Sequence, residues 1–255
     1  MSRLAIVAAL AAALVVAPAS SSAAKRVPRT CDLLTGPIVL RTAQIKIVKR
    51  NVRDVPRRVR PGVARGGFVG RRFYGCAYPR GRVHELGSSG TTYLYERGRR
   101  GRVRRTGVRG TSRMAFSSPA GTYVLSRSKD SIAGGPSAGT YQSGLVQDLA
   151  TGDRYPYWDS DATTNPNVEF VGEPPARVIL SEQGLLAAIF DDDLNGVRSV
   201  RGFSATGTQE VLDTVPFDRR GDIPLDSLAL DGTTVSWTNA GVPKSAQLSD
   251  GGRSR

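Results

Sequence analysis

Two cysteines, one histidine, two tryptophans and two methionines are all that this chain of 255 residues holds of those types. That scarcity excludes much chemistry. With His84 as the sole histidine and no CxxC pair, the usual four-ligand zinc sets are hard to assemble. A Ser-His-Asp triad would have to run through His84, and no GxSxG elbow accompanies it. The stretch "GSSGTT" at 87–92 has glycines but neither the lysine nor the following helix of a phosphate loop. Past the N-terminus, no apolar run is long enough to cross a bilayer and no stretch has the 3.6-residue period of an amphipathic helix. Acids are nearly missing from one half of the molecule. From Lys25 to Gly110 there are 23 Lys or Arg against 4 Asp or Glu, a balance of +19. From Thr111 onward there are 12 against 18, a balance of −6.

The N-terminus has the three-part order of a secretory signal peptide: Arg3, an apolar run from Leu4 to Val16, then small residues up to Ala23 and Ala24. The run is too short to span a membrane. Residues 1–24 are therefore expected to be removed, leaving an exported chain with no transmembrane segment. In an oxidising compartment an even cysteine count favours a disulfide, here between Cys31 and Cys76; a pair of metal-binding or redox thiols is the alternative.

What is abundant is short alternating apolar pattern. "AQIKIVKR", "RRFYGCAY", "TTYLYER", "TYVLSR", "LLAAIF" and "TVSWTN" read as strands, with Gly, Pro, Asn or Asp in most gaps. The expected fold class is all-β. Three segments share one layout of strand, glycine turn and strand: "RMAFSSPAGTYVLS", "RVILSEQGLLAAIF" and "SLALDGTTVSW". Their glycines, Gly121, Gly184 and Gly232, stand 63 and 48 residues apart. Repeats of roughly 40 to 50 residues with several strands point to the blades of a small β-propeller. A β-sandwich or barrel is the rival, with hairpins but no regular period. Residues 25–250 read as a single all-β domain, followed by a disordered tail at 251–255.

"IPLDSLALDGTTVSWTNAGVPKSAQL" (223–248) and "FYGCAYPRGRVHEL" (73–86) resemble the closing strands and the early hairpin of a group of uncharacterised secreted propeller-like proteins of high-GC Gram-positive bacteria. The resemblance covers about half of the exported chain and implies a propeller-like fold and export; it carries no activity and no site residues.

Two segments, 53–72 and 97–110, combine Arg with Gly and Pro and read as mobile loops. They hold the candidate anion-binding residues Arg57, Arg58, Arg60, Arg71, Arg72, Arg99, Arg100, Arg102, Arg104 and Arg105. The segments resemble RGG-type RNA-binding stretches, but outside a cell the polyanions on offer are envelope polymers, so a specific nucleic-acid partner is not expected. The competing explanation is solvated loops whose arginines reflect codon bias, since 31 of the 36 basic residues are arginine. Tyr155, Tyr157 and Trp158 in "DRYPYWDSD" form the one aromatic cluster, a candidate glycan platform or else a core plug. In "FDDDLNG", Asp191, Asp193 and Asn195 match the start of a calcium loop, but the closing acid is missing and Gly202 stands in its place. A hairpin tip needs fewer assumptions, so no cofactor is expected and calcium is kept as the alternative. Glu169, Glu182 and the aspartates at 191–193 would be the acids of a two-carboxylate glycosidase, although no spacing supports one. The resulting expectation is an exported, non-catalytic binding protein that engages anionic cell-envelope polymers or glycans through its Arg-rich half, with a secreted carbohydrate-active hydrolase as the alternative.

Overall fold

The computed structural model describes residues 28–98, 100–133, 139–160, 173–193 and 195–249. The expected signal peptide and C-terminal tail lie outside them. Within them the chain is all-β, with antiparallel pairing throughout. Eight strands pair in chain order to form the first sheet: β1 (Ile38–Arg41), β2 (Ile45–Asp54), β3 (Arg65–Ala77), β4 (His84–Arg97), β5 (Val103–Ala120), β6 (Tyr123–Ile132), β7 (Gly139–Asp148) and β8 (Arg154–Asp159). A second meander follows, with β9 (Arg177–Leu180), β10 (Leu186–Asp192), β11 (Val197–Phe203) and β12 (Gln209–Pro216). Two 3-10 turns, Phe217–Asp222 and Leu225–Ser227, lead to a third sheet of β13 (Ala229–Asp231), β14 (Thr234–Asn239) and β15 (Val242–Gln247).

The three repeated glycines all sit in tight turns at positive φ: Gly121 (58°) before β6, Gly184 (80°) before β10 and Gly232 (55°) before β14. Only glycine adopts that region without a Cβ penalty.

Period-two alternation distributes the apolar side chains into successive interfaces. Ile45 and Ile47 of β2, Phe73 of β3 and Leu86 of β4 pack with Val124 of β6, Leu149, Met114 and Phe116. The opposite face of β5–β8 sends Leu125, Val146, Tyr155, Tyr157 and Trp158 against Leu180, Leu186, Ala188, Phe190 and Phe203. The other side of β10, with Ala187 and Ile189, meets Val235, Trp237 and Leu248 of the last sheet and its flank. β10 is thus buried on both faces, which is why "LLAAIF" reads as an uninterrupted apolar run.

At the start of the chain Cys31 and Cys76 form a disulfide, as the cysteine count led us to expect, with Cα atoms 5.6 Å apart. It packs with Leu34, Val48 and Tyr74 on the outer face of β2 and β3.

The Arg/Gly segments correct the sequence reading. Residues 65–72 belong to β3 and 103–110 to β5, and only 55–64 and 98–102 connect strands. Even there the backbone is organised. The Val63 amide donates to the Arg60 carbonyl at 3.3 Å, closing a turn with Pro61 and Gly62 (φ 72°) at its centre, which is the residue pattern of a type II turn. "GSSG" lies inside β4 rather than at a break. Low apolar content misled because a strand's ladder is made by backbone groups. Side chains that bury nothing still allow it when the neighbouring strands are already paired.

Candidate functional site: an arginine groove on the long strands

The face of β2 and β3 that supplies Ile45, Ile47 and Phe73 to the core continues past the end of that core. Counting onward by two, it carries Asn51 and Arg53 on β2 and Arg71 and Val69 on β3. Backbone register sets these side by side: Asn51 opposite Arg71, and Arg53 opposite Val69. The same rows extend to β4, where Ser89 faces Arg71 and Thr91 faces Val69, and to β5, where Thr111 faces Thr91. Directly opposed residues on one face have Cβ atoms roughly 4.5 to 5.5 Å apart. A cavity of about 640 Å³ opens here, lined by Asn51, Arg53, Val69, Arg71, Ser89, Thr91, Thr111, Ser112 and Arg113 together with Val52, Gly70 and Gly90.

Two glycines make the floor. Gly70 and Gly90 stand opposite each other, and a Cβ built on Gly70 would lie 2.6 Å from the Gly90 Cα and 2.8 Å from the Phe68 ring. Neither position accommodates a side chain, so the backbones approach closely and the phenyl ring covers both.

The electrostatics are one-sided. No Asp or Glu lines the cavity. Among the described residues no carboxylate pairs with Arg53, Arg71 or Arg113. Arg113 also stands directly across from Lys129 on β6, a like-charge pair that costs stability unless an anion screens it. The Ser89 hydroxyl accepts the Met114 amide at 2.6 Å, which leaves its own proton available to donate. Three guanidiniums, an amide and several hydroxyls therefore bound the cavity without a compensating negative charge.

Of the arginines expected to bind anions, only Arg71 lines this groove. Arg57, Arg58 and Arg60 are exposed on the connection after β2, beside one end of it. Arg72 points to the other face, 3.8 Å from Glu85. Arg100 and Arg102 are exposed at the turn between β4 and β5, and Arg104 and Arg105 follow on β5, with Arg105 stacked 4.6 Å over the Tyr93 ring. Arg99 lies outside the described residues. The charges thus split between the groove and the hairpin tip. Arg53, Arg113, Asn51, Ser89, Thr91 and Thr111 were missed by sequence reasoning. A signal exists in the triplets "NVR" 51–53, "VGR" 69–71, "SGT" 89–91 and "TSR" 111–113, which place polar side chains two apart on successive strands.

The glycan platform does not form. Trp158 and Tyr157 are each 1% exposed and Tyr155 5%, all within the core between β5–β8 and β9–β12. A ring that buried has no face to offer a sugar. The Tyr155 hydroxyl donates to the Gly184 carbonyl and ties the two sheets together.

The acidic loop is a hairpin tip joining β10 to β11. Asp191 accepts two hydrogen bonds from Arg198, from Nε at 2.6 Å and Nη2 at 2.8 Å. Asp192 accepts from the Asn195 backbone amide at 3.0 Å and its side-chain amide at 2.7 Å. Two of the three candidate calcium ligands, Asp191 and Asn195, are thus engaged within the protein, while Asp193 is exposed. Among the described residues no three His, Cys, Asp or Glu side chains gather as a metal site. Glu169 lies outside the described residues and Glu182 is exposed beside the turn of Gly184.

His84 lines a second cavity of about 420 Å³ with Arg82, Glu85, Gln147, Asp148 and Arg154. Burial, and then the nearby Arg82, push its imidazole below the usual 6.5 against a weaker upward pull from Asp148 and Asp153. Asp148 is occupied in closing the turn after β7, accepting from the Thr122 hydroxyl, the Ala150 amide and the Thr151 hydroxyl at 2.8, 2.8 and 3.1 Å. No Ser, Thr or Cys lines this cavity, so a nucleophile for His84 to activate is not assembled there.

No family model, no curated protein and no solved structure matches the chain. Its functional reading therefore rests on the groove.

Proposed function

We propose that the protein is an exported, non-catalytic binding module that holds an anionic polymer of the cell envelope in the groove between β2, β3, β4 and β5. The observation that carries this reading is the convergence of Arg53, Arg71 and Arg113 on a cavity that no acid lines. Guanidiniums left without partners, surrounded by hydroxyl donors, are complementary to phosphate or carboxylate groups. Export is supported by the order of the N-terminal segment and by the disulfide. Among the described residues no helix is long and apolar enough to cross a membrane.

A propeller-like arrangement is part of the proposal. Its support is the way each strand group presents one face to the group before it and the other to the group after, as blades do. The regular β9–β12 meander has the strand count of a blade.

The test is retention of the disulfide-bonded protein on immobilised anionic envelope polymer across a salt series. Binding at low salt that falls steeply with ionic strength is expected, because counterion release scales with the number of charges neutralised. The variant Arg53→Ala/Arg71→Ala/Arg113→Ala should bind at least about tenfold more weakly, the loss of roughly one charge-assisted contact. Retention that ignores salt, or that the triple variant leaves intact, would defeat the proposal.

A further inference from the structure

Resting on that reading, we infer that the polymer is a linear phosphate chain, laid along the strands from the groove out to the Arg57–Arg60 connection so that several successive phosphates are held together.

The connection is docked at the groove's end. Pro56 Cδ and the Tyr95 ring occupy the space a Cβ on Gly67 would need, at 2.8 and 2.7 Å, and Val59 is only 7% exposed. Gly67 is two residues along β3 from Val69, which lines the groove. Arg57, Arg58 and Arg60 are exposed, and the turn closed by Arg60 and Val63 fixes the segment that carries them. Positive charge therefore recurs along one direction: Arg71, then Arg53 beside Val69, then the docked connection at Gly67. Each step is two residues of strand, roughly 6 to 7 Å. A single small anion would satisfy one step and leave the others uncompensated.

The donors also favour phosphate over carboxylate. They come from separate strands and from different directions: Arg53 from β2, Arg71 from β3 and Ser89 from β4. A planar carboxylate is best matched by one guanidinium fork, whereas the tetrahedral oxygens of a phosphate accept from several sides at once.

Calorimetry on the disulfide-bonded protein tests this with pyrophosphate, tripolyphosphate, long-chain polyphosphate and poly-L-glutamate of matched charge. Affinity should climb by about a hundredfold from pyrophosphate to the long chain, because later contacts form at high effective concentration. Arg57→Ala/Arg58→Ala/Arg60→Ala should erase most of that gain and leave pyrophosphate affinity within about twofold, whereas Arg53→Ala/Arg71→Ala should weaken every probe. These arginines are exposed or line a cavity, and an unchanged melting temperature in each variant confirms that the fold is retained. A flat length dependence, or a gain that survives the connection variant, overturns the extended-chain inference while leaving anion binding standing. Poly-L-glutamate binding as tightly as polyphosphate overturns the assignment to phosphate. Failure of every polyanion to bind at low salt defeats the proposed function itself.

Discussion

Arg198 grips Asp191 through two parallel hydrogen bonds, and its remaining guanidinium nitrogen donates to the carbonyls of Arg220 and Ile223, both at 3.0 Å. One buried side chain thus joins the β10–β11 hairpin to the 3-10 turn that leads into the last sheet. Replacing it strands a half-buried carboxylate and two carbonyls together. Arg198→Met should lower unfolding stability by about 3 kcal/mol, at the low end for breaking a buried pair because Asp191 keeps some water contact. Urea denaturation of the variant against the parent measures it.

The same pairing bears on calcium. A cation at the hairpin tip would have to draw Asp191 away from Arg198 and Asn195 away from Asp192. Millimolar calcium added to chelator-treated protein is therefore expected to leave the melting temperature unchanged, since an ion that does not bind the native state cannot stabilise it. An upward shift would restore the metal reading.

His84 gives a pH signature. Its folded-state pKa lies below 6.5, so the unfolded chain binds more protons in the interval between the two values. Stability from this group is complete above pH 6.5 and declines as the pH falls toward the lowered value. The carboxyls with lowered pKa, Asp32 and Asp213, titrate below 3.8 and do not contribute in that window. Denaturation midpoints measured just below pH 6.5 should fall in the parent and stay level in His84→Gln.

Loss of the disulfide should be costly. Cys31 and Cys76 are 45 residues apart in sequence, and closing a loop of that length in the unfolded chain is worth about 4 kcal/mol in the chain-entropy model. Cys31→Ser/Cys76→Ser is expected to lose roughly that amount, with the melting temperature as readout. A loss well under half of it would mean that Leu34, Val48 and Tyr74 hold the N-terminal segment without the bond.

The features legible in the sequence were those written locally. The Gly121, Gly184 and Gly232 turns, the doubly buried run at β10 and the cysteine pair all follow from residues within a few positions or from a simple count. The long strands β3, β4 and β5 were legible only in part, because Arg and Gly carry no apolar period while the ladder that orders them is backbone. The groove was not legible. Its members come from four strands and meet only through register, and a shift of one residue would turn every side chain to the opposite face. The aromatic cluster shows the reverse error: Tyr157 and Trp158 looked like chemistry and are packing.

The sequential interfaces have a consequence for how the molecule comes apart. Each strand group shares its core only with the group before and after it, so cohesion resembles a row of nearest-neighbour couplings, as in repeat proteins. The last sheet leans on a single neighbour. Its amides should exchange with deuterium through partial openings that leave the groove formed, while those of β10, gripped from both sides, should wait for the whole chain to unravel.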